Sequence, residues 1–174
     1  MKLATLTLFL HKRFSLKNPF LLLLSACCLQ LAACSIPSGF FEKDVIIPGQ
    51  QWEGSFKPRI DFTIKAEDTA SLYNVYLVLR HSDAYNYNNI WVKGTVLEPG
   101  DTAARSERYD LTLATNDKGW LGNGMDDIYE HRIIIQPETK FGKPGTYSFT
   151  LEQIMREDPL KHVLNVGVRV EKVR

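Results

Sequence analysis

The residue with the most specific chemistry in this sequence is Cys34, which ends the run Leu31-Ala32-Ala33-Cys34. A branched apolar residue, two small residues and a cysteine form the bacterial lipobox. The small residues let an extended chain enter a narrow peptidase site, and the thiol is the nucleophile that takes a diacylglycerol. We therefore expect cleavage before Cys34, with Cys34 as the lipidated first residue of the mature protein.

The segment before Cys34 has the pattern of a secretion signal. It carries four basic residues and no acidic residue ahead of an apolar run that begins at Phe20. That run is too short and too interrupted to span a bilayer, which takes about 20 apolar residues. Leu24-Ser25-Ala26-Cys27 also fits the lipobox, but it would leave an apolar region at the short limit of about 7 residues. Cys27 is thus an alternative lipid site, and Cys34 is preferred.

Three histidines and several acids could in principle serve catalysis or metal binding, but their spacing does not favour it. His81, His131 and His162 lie far apart and lack the i, i+4 spacing of a helical zinc site. Asp126-Asp127 in a glycine-rich segment does not match a calcium loop and is typical of turns. With no nucleophile elbow or phosphate-binding glycine loop either, we predict no enzyme activity, no metal and no cofactor.

Aromatic residues in predicted loops and strand ends are the remaining candidates for a binding site. Tyr85, Tyr87 and Trp91 form one group, and Trp120 lies in a glycine-rich segment. Such side chains can cap the core, anchor a protein partner or stack on sugar rings. All three alternatives stay open at the level of sequence.

Length and charge bound the class of protein. Of 174 residues, cleavage at the lipobox would leave 141, enough for one domain with a substantial core. Loss of four basic residues leaves 17 basic against 20 acidic ones, a net charge of −3. This mildly acidic balance and the lack of a basic stripe argue against nucleic acid. All three cysteines lie in the signal or at the lipid site, so the domain has no disulfide and no thiol chemistry.

After the signal, apolar residues recur with a period of two, which is typical of β-strands. The alternation predicts strands around the following apolar residues: Ile60, Phe62 and Ile64; Tyr73, Val75, Leu77 and Leu79; Ile90, Val92 and Val96; Tyr109, Leu111 and Leu113; Arg132 to Ile135; Tyr147, Phe149 and Leu151; and Val166, Val168 and Val170. Glu98-Pro99-Gly100-Asp101 predicts a hairpin turn between the third and fourth strands.

The segments between these strands carry turn residues. We predict a tether with one edge strand at Val45 to Ile47, a long irregular loop over 116–127, and one helical turn over 158–164 because Asp158-Pro159 resembles a helix start. The predicted organisation is a signal peptide at 1–33, a lipidated N-terminus with tether and edge strand at 34–54, and a sandwich domain at 55–174. Short strands without a long helical pattern indicate an all-β, single antiparallel β-sandwich, jelly-roll-like or immunoglobulin-like.

Four stretches together with the lipobox resemble one known family. They are 73–81 (YNVYLVLRH), 85–91 (YNYNNIW), 119–132 (GWLGNGMDDIYEHR), and 145–156 (GTYSFTLEQIMR) with 166–171 (VGVRVE). Their order and spacing are similar to those of the gliding motility lipoprotein GldH family of the Bacteroidetes, over the whole mature chain. The resemblance implies an outer-membrane lipoprotein needed for gliding and linked to type IX secretion, with no known catalytic residues; only the lipidated cysteine is carried over, onto Cys34.

The sequence therefore predicts a non-catalytic, lipid-anchored (palmitate-bearing) envelope protein that interacts with other gliding or secretion-apparatus envelope proteins. A carbohydrate-binding surface lipoprotein of a glycan-uptake system is the alternative. Ser35 to Gly39 lack the acids that accompany export to the cell surface, and the first acid is Glu42. We accordingly expect an outer-membrane protein that faces the periplasm.

Overall fold

The structure, a computed structural model, describes residues 39–173. The signal and lipid-site predictions therefore lie outside the described residues. The strands are β1 (Phe40–Ile46), β2 (Gln51–Trp52), β3 (Arg59–Ile64), β4 (Leu72–Ser82), β5 (Asn89–Leu97), β6 (Arg105–Thr112), β7 (Ala114–Thr115), β8 (Gly119–Trp120), β9 (Asn123–Met125), β10 (Ile128–Lys140), β11 (Gly145–Gln153), β12 (Leu160–Lys161) and β13 (Val163–Lys172). Two short 3-10 turns lie at Pro48–Gln50 and Ala66–Asp68.

Two antiparallel sheets form a β-sandwich, which confirms the predicted fold class. The larger sheet has the strand order β1-β13-β4-β10-β9, and the smaller one has the order β3-β11-β5-β6. Two-stranded pairs, β2 with β12 and β7 with β8, extend the sandwich. Each main strand buries alternate side chains, because successive residues of a strand point to opposite faces of its sheet.

The core lies between the two sheets and includes most of the apolar residues that the alternation predicted, together with others such as Trp52, Phe141 and Leu160. Val75, Leu77 and Leu79 of β4 face Ile60 of β3 and Phe149 of β11, and all five are at most 1% exposed. Phe62, Phe141 and Tyr147 pack their rings together at one end, with centroids 4.8–5.5 Å apart. Aromatic pairs at these distances add stability beyond the area that they bury.

The last long strand, β13, is an interior strand of the larger sheet, next to the edge strand β1. It pairs with β1 on one side and with β4 on the other, so the two ends of the described chain meet in one sheet. Gly167 allows the close approach of β1: a Cβ at this position would lie 2.7 Å from Cα of Asp44 and would also contact the carbonyl oxygen of Lys43. A side chain here would push the two strands apart.

Three local predictions are corrected by tertiary pairing. The edge strand expected at Val45 to Ile47 begins earlier, at Phe40, because the whole segment is paired with β13. The segment 116–127 is not one irregular loop: it contains β8 and β9, which pair with β7 and β10. Those pairings supply backbone hydrogen bonds that the glycine-rich sequence does not predict.

The helical turn expected over 158–164 is absent, and the segment forms β12 instead. Leu160 pairs with Trp52 of β2, and both side chains are fully buried. His162 has φ of 67°, which is incompatible with a right-handed turn. Burial of two large apolar side chains outweighs the weak local preference for a helix start.

Candidate functional site

At the end of the sandwich where β4 ends and β10 begins, the structure brings together two histidines that the sequence separates by 50 positions. Nε2 of His81 lies 2.9 Å from Nε2 of His131, and the two rings stack with centroids 5.0 Å apart. Their side chains are 0% and 3% exposed. Both follow the inward alternation of their strands, so burial was readable in the sequence, whereas their contact depends on the register of β4 against β10.

Hydrogen bonding assigns complementary roles to the two neutral rings. Nδ1 of His81 lies 2.7 Å from the carbonyl oxygen of Ser82, so Nδ1 carries a proton and donates it. Nε2 of His81 is then an acceptor, and Nε2–H of His131 is the donor between the rings. Burial lowers the pKa of both groups, to about 4 for His131, where repulsion from a protonated His81 adds a smaller effect.

Aromatic side chains enclose the histidine pair, which identifies the role of Trp120. Its ring lies 4.4 Å from that of His81 and 5.6 Å from that of Tyr129. Gly122, two residues further on, crosses the pair so closely that a Cβ there would lie 2.7 Å from the carbonyl oxygen of Glu130 and 2.8 Å from Nε2 of His131. Trp120 and Gly122 thus fix the β8–β9 segment against the core.

Tyr85 and Tyr87 belong to the same aromatic group. Tyr85 is 4% exposed, contacts the ring of His81 at 5.1 Å and donates its hydroxyl to the carbonyl oxygen of Asn89. Tyr87 packs on Tyr85 and donates its hydroxyl to Glu157 at 2.8 Å. Burial raises the pKa of Tyr85, and the bond to Glu157 raises that of Tyr87. The structure therefore places Tyr85 in the core, and Tyr87 beside it.

Trp91 lies apart from this group, on the outer face of the smaller sheet. It is 41% exposed and pairs across the sheet with Asp110 of β6. The same face carries polar pairs, including Lys93 with Glu152 at 3.2 Å and Thr95 with Ser106 at 2.8 Å. Of the four aromatics singled out in the sequence, Trp91 is the one that presents a ring to solvent as a contact surface.

A cleft of about 410 Å³ opens between the edge of β6 and the end of β10. Its floor includes Gly94, Phe141 and Tyr147, and its rim carries charged residues from both strands. The rim charges are already engaged, since Glu98 forms ion pairs with Arg105 and Lys143. Gln136 donates to the hydroxyl of Tyr109 across the cleft at 3.2 Å. The cleft is therefore a polar groove bridged by its own side chains.

The outer face of the larger sheet carries a row of alternating charges across four strands. Glu42 of β1 accepts hydrogen bonds from Arg132 of β10 at 2.9 and 3.1 Å and from Arg169 of β13 at 3.0 Å. Glu130 is paired with Arg132 at 2.5 Å and with Arg80 at 2.6 Å. The two guanidinium groups, Arg132 first, lower the pKa of Glu42. These ion pairs connect the four strands, and the opposite charges within the row neutralise one another.

The described residues contain neither a metal-binding group of side chains nor a membrane-spanning helix. Within residues 39–173, no group of three or more His, Cys, Asp or Glu side chains is arranged to hold a metal ion. Across the same residues, no helix has the length and apolar character needed to cross a membrane. The histidine pair has two nitrogen ligands at most, fewer than the three protein ligands of a catalytic zinc site.

The fold and its surfaces define a small antiparallel β-sandwich protein with an aromatic cluster at one end and charged outer faces. The sequence profile of the family described as GldH lipoprotein matches residues 40–170, and the chain belongs to that family. This confirms the resemblance drawn from the sequence motifs.

Individual relatives agree with the family assignment. A protein of Christiangramia forsetii named "Gliding motility lipoprotein GldH homolog" is 26% identical over 121 residues, which cover 65% of this chain and 74% of that protein. The "Gliding motility lipoprotein GldH" of Flavobacterium johnsoniae is 27% identical over 164 residues, covering 90% of this chain and 98% of that protein. Together with the family match, these two relatives identify this chain as a gliding motility lipoprotein.

A comparison with solved structures aligns the chain with a carbohydrate-binding module, CBM28, described as specific for non-crystalline cellulose. The TM-score is 0.42 and the identity 13%, with 76% of this chain and 73% of that chain covered. A likeness at this level carries no argument about the ligand of this chain.

Proposed function

We propose that this protein is a non-catalytic, lipid-anchored interaction component of the gliding motility machinery linked to type IX secretion. The observation that carries the proposal is the family match over residues 40–170, supported by two relatives named as gliding motility lipoproteins. A rigid sandwich whose titratable cluster is internally hydrogen-bonded suits a binding role better than a catalytic one.

The proposed attachment is a lipid on Cys34 that holds the protein at the outer membrane. Two or more acyl chains give lasting attachment where a single myristoyl chain gives only marginal binding. The absence of acids between Cys34 and Glu42 supports a periplasm-facing orientation. Proteinase K added to intact cells should leave the protein intact; digestion without permeabilisation would show that it faces outward.

Substitution of the lipid-site cysteine tests the attachment. Cys34→Ser should abolish incorporation of labelled palmitate and release the protein from the membrane fraction, whereas Cys27→Ser serves as the matched control and should leave both unchanged. Loss of label with Cys27→Ser alone would move the lipid site to Cys27.

The role in gliding is tested in a gliding host whose own copy is deleted. The full chain should restore spreading and cell movement, and crosslinking followed by affinity purification should recover gliding or secretion-apparatus envelope proteins. Restoration of neither movement nor association would overturn the proposal.

Carbohydrate binding is a second candidate because of one specific observation: Trp91 presents a ring on a polar outer face and is 41% exposed. Exposed aromatic rings stack on sugars. Retention on immobilised polysaccharide that disappears with Trp91→Ala, while Trp91→Phe keeps part of it, would favour this candidate. Trp120 is a poor probe for the purpose because it packs against His81.

A further inference from the structure

The end of the sandwich beside the histidine pair exposes apolar side chains on a rigid support. Met125 of β9 is 77% exposed and Leu121, just before β9, is 47% exposed. Three exposed acids, Asp83, Asp126 and Asp127, complete a surface that we call the tip. The amide of Asp83 donates to the carbonyl oxygen of Asp127 at 2.8 Å, which joins the end of β4 to the turn before β10.

The residues beneath the tip are closely packed, so the exposure of these side chains is not a consequence of loose packing. Gly122 rests on His131, and Gly124 lies against the ring of Tyr129, where a Cβ would be 3.0 Å away. Trp120 anchors the start of the segment on His81. A backbone that is already fixed loses little conformational entropy on binding, which favours association.

The acids of the tip belong to those acids of this protein that form no ion pair within the described residues, whereas other acids are neutralised by basic side chains. Glu42, Glu98, Glu130 and Glu152, for example, are ion-paired with lysine or arginine. Within the part of the chain that the structure describes, no basic side chain forms an ion pair with Asp83, Asp126 or Asp127. The nearest arginines along the sheet, Arg80 and Arg132, are already paired with Glu130.

We propose that the tip is a docking surface for a protein partner whose contact region has an apolar pocket bordered by lysine or arginine. Asp126 and Asp127 follow Met125 directly, and with Asp83 they give this end a negative charge that is complementary to such a region. They would repel a second copy of the same tip and the phosphates of a lipid surface. Methionine suits the centre of such a contact because its side chain is flexible and polarisable.

The position of the tip agrees with this role, and here the inference rests on the function proposed above. Phe40, six residues after the proposed lipid site Cys34, is paired with Glu171 at the opposite end of the larger sheet. The tip lies at the other end of β4, about 33 Å along a strand of 11 residues. A partner could therefore reach the tip without contacting the end of the domain at which the described chain begins.

Site-specific photo-crosslinking with the full chain in a gliding host tests the proposal. The photoreactive residue replaces Met125 or Leu121, and replaces Leu72 as a matched control, since Leu72 is 41% exposed at the opposite end. We expect an adduct at the two tip positions and none at Leu72. The crosslinked peptide of the partner should contain lysine or arginine beside apolar residues.

Reversing the charge of the tip is the second part of the test. Asp126→Lys with Asp127→Lys should lower the yield of the Met125 adduct about tenfold, and Glu138→Lys, a reversal far from the tip, should not. An adduct with a second copy of this chain, an adduct only at Leu72, or a yield unaffected by charge reversal would overturn the tip proposal. If the chain does not restore gliding at all, the proposed function fails instead, which separates the two outcomes.

Discussion

At the scale of single residues, the buried pair of His81 and His131 shows how the fold sets protonation. One proton lies between two Nε2 atoms, and the rings of Tyr85, Trp120 and Tyr129 enclose the pair. A second proton would place two donors face to face in a poorly solvated site. In the folded protein this pair should therefore stay neutral to a lower pH than an exposed histidine does.

The first prediction concerns stability against pH. An unperturbed histidine has a pKa of about 6.5, and in the folded protein the pKa of His131 is about 4. Between these values the unfolded chain binds more protons, so stability is lost as pH falls. We expect the free energy of unfolding in urea to drop by about 2 kcal/mol between pH 7.5 and pH 5.

The control for this prediction is a matched pair of variants. His131→Gln should reduce the pH dependence to the part that His81 contributes, whereas His162→Gln removes a histidine outside the pair and should keep the full dependence. Equal unfolding free energies for the unsubstituted protein at pH 7.5 and pH 5 would contradict the prediction.

The second prediction concerns Gly122. In Gly122→Ala the new methyl group would meet the carbonyl oxygen of Glu130 and the ring of His131, so we expect a loss of about 2 kcal/mol of stability. Gly142→Ala is the matched control, because a Cβ there meets nothing within 4 Å. Its stability should change by less than about 0.5 kcal/mol. Equal midpoints of urea unfolding for the two variants would show that the close approach at Gly122 does not matter.

At the scale of elements, β1 depends on β13 for its place in the sheet. All seven residues of β1 pair with β13, and Glu42 adds ion pairs to Arg132 and Arg169. As an edge strand, β1 has no partner on its other side among the described strands. Whatever separates β1 from β13 should therefore release β1 without first disturbing β4 and β10.

The third prediction follows from this arrangement. Gly167→Ala should force the backbones of β1 and β13 apart and cost about 2 to 3 kcal/mol. Hydrogen exchange should show loss of protection at the amides of Phe40–Ile46, with β10 still protected. Gly39→Ala, where a Cβ meets nothing within 4 Å, is the control. Uniform loss of protection across all strands would instead mean that β1 does not open separately.

At the scale of the whole molecule, the order of strands in space makes the end of the chain central. β13 lies between β1 and β4, so its loss would leave β1 unpaired, take one of the two partners from β4, and remove the buried side chains of Val166, Val168 and Val170 from the core. These valines are at most 3% exposed.

The fourth prediction is a truncation. A chain that stops after His162 keeps most of its residues but lacks β13, and it should be degraded rapidly in limited proteolysis and lose its far-UV signal for strand. A chain that lacks only Arg174 is the control and should resist proteolysis as the full chain does. Resistance of the first truncation would show that the remaining strands form a stable core without β13.

Much of the fold was predictable because strand burial is a local property. The period-two pattern in Tyr73 to Leu79 and in Tyr147 to Leu151 predicts which face of each strand is apolar, and those faces are buried in the structure. The hairpin at Glu98 to Asp101 was equally local, since proline and glycine specify the turn between β5 and β6. The four aromatic candidates were visible as residue types, but not their division into a buried group and exposed Trp91.

The strand-rich class, the inward faces and the family motifs were predictable from residue types alone, because they depend on patterns at short spacing. The position of β13 between β1 and β4, the pairing of Leu160 with Trp52 and the contact of His81 with His131 became visible in the folded chain. Such contacts join residues 50 to more than 100 positions apart. The alternation of a strand predicts which of its faces is buried but not which strand it pairs with. The register and the pairing partner are therefore set by how the two sheets pack as a whole.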